Sequence, residues 1–159
     1  MNKGLSVKLI AINAMIAGVY AAFTLALSPI AYLGLQFRLS EIMVFLAFYN
    51  KKFIPGLVIG CFIANIPSPI GLLDILFGTL SSLVVCVAIY YIKNRYLAAF
   101  VGAVITGIII GLLLHLAYGI PYIVNAFYVF IGQLLVLIIG AIIFKFVESN
   151  EQLFSYIKE

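Results

Sequence analysis

The sequence predicts an all-α integral membrane protein with six transmembrane helices, a reading carried by three observations. First, 66% of the 159 residues are hydrophobic and 9% are charged, with a mean hydropathy of +1.28. A soluble domain has roughly a quarter of its residues charged, and nine Lys/Arg with five Asp/Glu are too few to cover a soluble fold of this size. Second, polar punctuation divides the chain into six apolar runs, near residues 5–27, 31–49, 53–66, 72–92, 97–117 and 122–147, most of them close to the ~20 residues that cross a bilayer. Third, basic residues fall in alternate connections, the pattern of a multi-pass protein oriented by its positive loops. The whole chain, 1–159, reads as one membrane domain.

The first run follows Lys3 and Lys8. It exceeds the ~7–15 apolar residues of a secretory signal and reads as a retained span. The second and third runs are separated by Asn50, Lys51 and Lys52. The third is short for a helix rising about 1.5 Å per residue; Pro55 suits its first turn and Pro67-Ser68-Pro69 ends it. A short span that meets non-helical backbone implies a protein-lined or watery recess, because lipid leaves open peptide groups unsatisfied. The last dozen residues, from Glu148 to Glu159, read as an amphipathic tail at the interface.

With six spans, Lys3, Lys8, Lys51, Lys52, Lys93, Arg95, Lys145 and Lys158 all lie on one side, which the positive-inside rule makes cytoplasmic, together with both termini. Arg38 falls on the other side, and polar residues gather with it. Gln36, Arg38 and Glu41 enter the second span, Asn65 ends the third and Asp74 begins the fourth. His115 and Tyr118 end the fifth, and Tyr122 and Asn125 begin the sixth. Charged groups at membrane depth cost a few kcal/mol and face a cavity or each other, so these ends describe a cup open to the outside.

Each candidate has a plainer reading. Arg38 and Glu41, three apart, share a helix face and can simply neutralise each other. Asp74 has no basic neighbour in its own helix, which favours it as a ligand contact. His115 reads as a packing residue or a contact, with no metal set around it, and Tyr32, Tyr118 and Tyr122 read as cup walls or interfacial anchors. Cys61 and Cys86 stand singly in separate runs, without the close pairing of metal or redox motifs. Neither a metal nor a cofactor is expected.

The first span also carries Ala14, Gly18, Ala22 and Ala26 at a spacing of four, with Ala17 and Ala21 beside them. Small residues at that spacing let another helix approach closely. Such a stripe serves packing within the protein, as expected of Gly56/Gly60 and Gly107/Gly111, or docking of a partner. Small-residue surface on more than one flank favours a partner.

Over roughly residues 17–80 the sequence resembles the QueT family, among the substrate-binding S components of energy-coupling factor transporters. The likeness is carried by Ser28-Pro29-Ile30-Ala31 leading to Gln36-Phe37-Arg38-Leu39-Ser40-Glu41. It continues in Ile54-Pro55-Gly56, Gly60-Cys61, Ala64-Asn65 and Gly71-Leu72-Leu73-Asp74-Ile75-Leu76-Phe77-Gly78-Thr79. The resemblance implies the six-helix S-component fold in the cell membrane. It also implies a docking face of the Ala17-x-x-x-Ala21 type for a coupling module of one transmembrane protein and two ATPases. Its cargo would be a queuosine precursor: preQ1, preQ0 or queuine. A guanine-like edge offers two adjacent N–H donors that one carboxylate accepts as a pair, which either Glu41 or Asp74 supplies. Gln36, Asn65 and Asn125 suit the carbonyl and ring nitrogens; Arg38 either orients Glu41 or meets the base carbonyl.

Several classes fall away. Nucleic-acid binding is excluded because the +4 net charge is scattered rather than patched. An ATPase of its own is not expected, since no G-x-x-x-x-G-K-[ST] loop occurs. An intramembrane enzyme built on Ser81, Ser82 and His115 lacks any nucleophile–base spacing. A proton-coupled exporter needs a mid-span carboxylate, and none is placed there. An S component for another vitamin remains the serious rival to a deazaguanine carrier.

Overall fold

The computed structural model describes residues 7–27 and 38–158, and among these all regular structure is helical. The α-helices are α1 (Val7–Ala26), α2 (Phe45–Tyr49), α3 (Ile54–Asn65), α4 (Leu72–Tyr91), α5 (Arg95–Tyr118), α6 (Tyr122–Ser149) and α7 (Glu151–Lys158). Short 3-10 turns, Leu39–Val44 and Lys51–Phe53, lead into α2 and α3.

Local signals set the ends. Pro55 occupies the first turn of α3, where its missing N–H has no partner to lose. The Asn94 side chain accepts from the N–H groups of Tyr96 and Leu97 and starts α5. Gly119, at φ 69°, closes α5 in the left-handed conformation that glycine adopts without strain.

Among the described residues four helices, α1, α4, α5 and α6, are long and apolar enough to cross a membrane. The remaining two expected crossings are shorter. The third is the 12-residue α3, about 18 Å long at 1.5 Å per residue. The second is described only from Arg38 onward, and there it is a 3-10 helix running into five residues of α2 rather than one straight α-helix. Residues one 3-10 turn apart eclipse each other, so Arg38, Glu41 and Val44 line one edge, and all three are buried.

Small residues bring the helices together where no hydrophobic force drives lipid-bathed surfaces. On α5, a Cβ added to Gly111 would stand 2.8 Å from the Ala126 Cβ of α6, and one on Gly107 would meet Phe130 at 3.0 Å. On α3, a Cβ at Gly60 would stand 3.0 Å from the Cα of Ala17 and 2.8 Å from Tyr20 of α1. Asn13 fastens the same pair: its Oδ1 accepts from the Gly56 N–H at 2.7 Å and its Nδ2 donates to the Lys52 carbonyl at 3.0 Å.

The two ends of the bundle differ in chemistry. At one end Arg95 pairs with Glu148 and donates to the Tyr49 hydroxyl at 3.4 Å. The Lys51 ammonium sits 6.0 Å over the Tyr90 ring, and Asn50 donates to the Ile157 carbonyl of α7 at 3.2 Å. Asp74 lies sixteen residues before Tyr90 on α4, about 24 Å away along the axis. The Arg38–Asp74 pair therefore lies at the opposite end.

Candidate functional site

Two adjoining polar clusters lie where the 3-10 segment crosses α1, α3 and α4. In the first, Arg38 spans two helices. Its Nη1 donates to Asn65 Oδ1 at 2.8 Å, and its Nη2 reaches both carboxylate oxygens of Asp74 at 3.1 Å. Ser68, from the Pro67-Ser68-Pro69 break, donates to Asp74 Oδ2 at 2.5 Å. Asn65 uses its amide nitrogen on the Asp74 carbonyl at 3.2 Å. Asn65 and Asp74 are 0% exposed. A Cβ on Gly78 would strike the Asn65 amide, so this glycine makes room for the cluster.

The second cluster holds Glu41. Its Oε1 accepts from the Tyr20 hydroxyl of α1 at 2.5 Å. Beside it, Thr24 Oγ1 donates to the Tyr20 carbonyl at 3.0 Å and lies 2.6 Å from Ser40 Oγ. Together these contacts tie the 3-10 segment to α1. A cavity of about 20 Å³ opens next to Glu41, lined by Arg38, Glu41, Gly78, Ser81, Thr106, Ile110 and Gln133. That volume suits a water or two. Asp74 does not line it.

The pairing differs from the local expectation for Arg38 and Glu41. Three-residue spacing suggests that these two neutralise each other; instead Arg38 takes Asp74, 36 positions away, and Glu41 takes a tyrosine. Asp74 is correspondingly not a lone carboxylate. Its charge is matched by Arg38 and its oxygens are hydrogen-bonded, which is how a buried ion avoids the full cost of leaving water.

The remaining cup residues stand apart. His115 Nδ1 meets the Ile120 carbonyl at 2.8 Å and Asn125 Nδ2 donates to the same oxygen at 3.4 Å; both brace the α5–α6 turn. Tyr122 donates to the Ile108 carbonyl at 3.5 Å, and Tyr118 is exposed. Gln36 and Tyr32 lie outside the described residues. Cys61 and Cys86 are buried free thiols, and among the described residues no group of His, Cys, Asp or Glu is arranged to hold a metal ion.

On α1 the small residues divide into two flanks. Ala17 and Ala21 are buried, Ala17 against Gly60 of α3, so these two are engaged or covered within the bundle itself. Ala14, Gly18 and Ala22 are exposed, and among the described residues nothing lies within 4 Å of a Cβ built on Gly18.

Sequence reasoning missed Tyr20, Thr24, Ser68 and Gln133. Tyr20 and Thr24 are four apart, on one face of α1, and are the polar residues of its second half. Gln133 is the one amide deep inside the long run of α6, eleven residues or about 17 Å past Tyr122. A lone amide at that depth is itself a signal, because it costs free energy unless it meets a partner.

Comparison with known proteins identifies the family. A family model described as QueT transporter matches residues 10–149. The Queuosine precursor transporter QueT of Lactococcus lactis subsp. cremoris is 44% identical over 73 residues. That stretch covers 45% of this chain and 43% of the relative. No solved structure matches. With the family model covering nearly the whole helical bundle, the chain belongs to the QueT transporter family.

Proposed function

We propose that this membrane protein captures a queuosine precursor, a deazaguanine base of the preQ1, preQ0 or queuine type, on the outer side of the cell membrane. It would hand the base to an energy-coupling module for ATP-driven uptake. The observation that carries the reading is Glu41. It is a nearly buried carboxylate on the cavity wall, oriented by Tyr20, in a chain of the QueT family. A carboxylate held in a low-dielectric recess accepts the two adjacent N–H groups of a guanine-like edge with strong, paired hydrogen bonds.

Between the two carboxylates that the sequence leaves open, the contacts favour Glu41. Asp74 is engaged by Arg38 and Ser68 and is best read as the anchor that holds Arg38 in the cavity wall. A base is larger than a 20 Å³ cavity, so the helices around it part for entry and close on the ligand. The chain supplies binding and no bond chemistry. The outward flank of α1, Ala14, Gly18 and Ala22, is the face offered to the transmembrane coupling protein, which drives release on the cytoplasmic side where the lysines gather.

Titration calorimetry on the purified protein with a 7-deazaguanine base tests this. Binding is expected in the unmodified protein, with at least a tenfold loss in Glu41→Gln, on the order of a charge-assisted hydrogen bond. Undiminished affinity in Glu41→Gln overturns the site; absence of binding in the unmodified protein overturns the cargo.

A further inference from the structure

Gln133 enters the cavity from α6, the helix that contributes nothing else polar to its wall. It is 1% exposed, and among the described residues its Nε2 meets no partner in good hydrogen-bond geometry, although the amide lies beside the Glu41 carboxylate. An amide nitrogen carries two N–H donors and buried ones are almost always paired, so with one turned toward Glu41 the other is left for a molecule in the cavity. Its neighbour on that wall is the Glu41 carboxylate.

The order of these groups is informative. The wall thus offers an amide donor beside a carboxylate, whose Oε1 accepts from Tyr20 and keeps a second lone pair while Oε2 is the other acceptor. The complementary edge is one acceptor followed by two donors, which is the sequence carbonyl, ring N–H, exocyclic amine along the edge of a 6-oxo-2-amino purine-like base. The carboxylate also sets the amide's orientation. Turning the side chain over would bring its oxygen against the negative oxygens of Glu41, so Nε2 is the atom held on that side.

We infer that Gln133 is a specificity-determining residue, its Nε2 donating to the ring carbonyl of the base whose two adjacent N–H groups Glu41 accepts. This rests on the deazaguanine reading above and names the group that distinguishes an oxo base from one lacking a good acceptor there. A site built to hydrogen-bond one group discriminates strongly against analogues that leave the site's polar atoms unpaired.

The test compares 7-deazaguanine with its 6-thioxo analogue, which keeps both N–H donors but accepts hydrogen bonds weakly, in unmodified protein, Gln133→Leu and Gln133→Glu. Both variants are first checked for unchanged elution and thermal unfolding in detergent. Unmodified protein should prefer the oxo base. Gln133→Leu should bind it about 10–100-fold more weakly and show an oxo-to-thioxo ratio close to one, a change that a merely structural role would not produce. Gln133→Glu should bind the oxo base weakest, since it sets an acceptor against the carbonyl. An oxo-to-thioxo ratio in Gln133→Leu equal to that of the unmodified protein would overturn the assignment to Gln133 while leaving the capture function standing. If only one variant folds, the ratio in that variant decides. Failure of the unmodified protein to bind either base would instead remove the reading on which the inference rests.

Discussion

At the scale of single residues, the division of labour between Asp74 and Glu41 follows from what each carboxylate touches. Asp74 is 0% exposed and its partner Arg38 is 5% exposed, so removing one leaves the other charged in a dry surrounding. Asp74→Asn should therefore lower stability by roughly 3–5 kcal/mol, as breaking a buried pair from one side does. The thermal unfolding midpoint in detergent would read this directly, and an unchanged midpoint would show that the pair is not a structural anchor. Glu41→Gln keeps an acceptor for Tyr20 and should leave that midpoint close to the original while ligand affinity falls. The candidate residues themselves were legible in the sequence, because ionised side chains are rare in this chain and each one needs an explanation. Their pairing was not: spacing of three along the chain joins Arg38 to Glu41, while the fold joins Arg38 to a residue 36 positions distant.

At the scale of elements, α1 separates two kinds of small-residue surface that look alike in the sequence. A leucine at position 60 must displace the backbone of Ala17, which a Cβ there already approaches to 3.0 Å. Gly60→Leu should cost about 1–3 kcal/mol by overpacking, seen as a lower unfolding midpoint. A Cβ at position 18 meets nothing within 4 Å among the described residues, and Gly18→Leu should change stability by no more than about 0.5 kcal/mol. If the outward flank is the docking face, the same change should abolish co-purification of the coupling protein with this chain. Retained co-purification and transport in Gly18→Leu would place docking elsewhere. The ends of α3, α4, α5 and α6 fall within two residues of the apolar runs 53–66, 72–92, 97–117 and 122–147, since capping and proline chemistry act locally. The segment from Leu39 to Tyr49 does not form the straight span its hydropathy suggests; it turns through a 3-10 helix that directs Ser40 and Glu41 inward.

At the scale of the whole molecule, the bundle has one end bearing Arg95, Glu148 and the lysines beside α2 and α3, and another bearing the Arg38–Asp74 pair. Capture from outside and release inside require these ends to face opposite compartments. Cysteines introduced singly at the exposed position 72, which begins α4, and at position 93, just past its other end, should label from opposite sides, the first by an impermeant reagent on intact cells and the second only after permeabilisation. The native Cys61 and Cys86 are buried and give little background. Labelling of both positions from the same side would refute the sidedness on which uptake depends.

The sequence by itself determined the solvent, the helical class, most helix limits and the short list of polar residues, because each depends on composition or on chemistry within a few residues. Only the tertiary structure decided which polar residue meets which, and which flank of α1 is free. The physical reason is the bilayer. When nearly every face of a helix is apolar, no amphipathic stripe records which side points inward. Helix rotation is then set by close contacts of small residues and by hydrogen bonds between distant segments, none of which leaves a periodic trace in the chain.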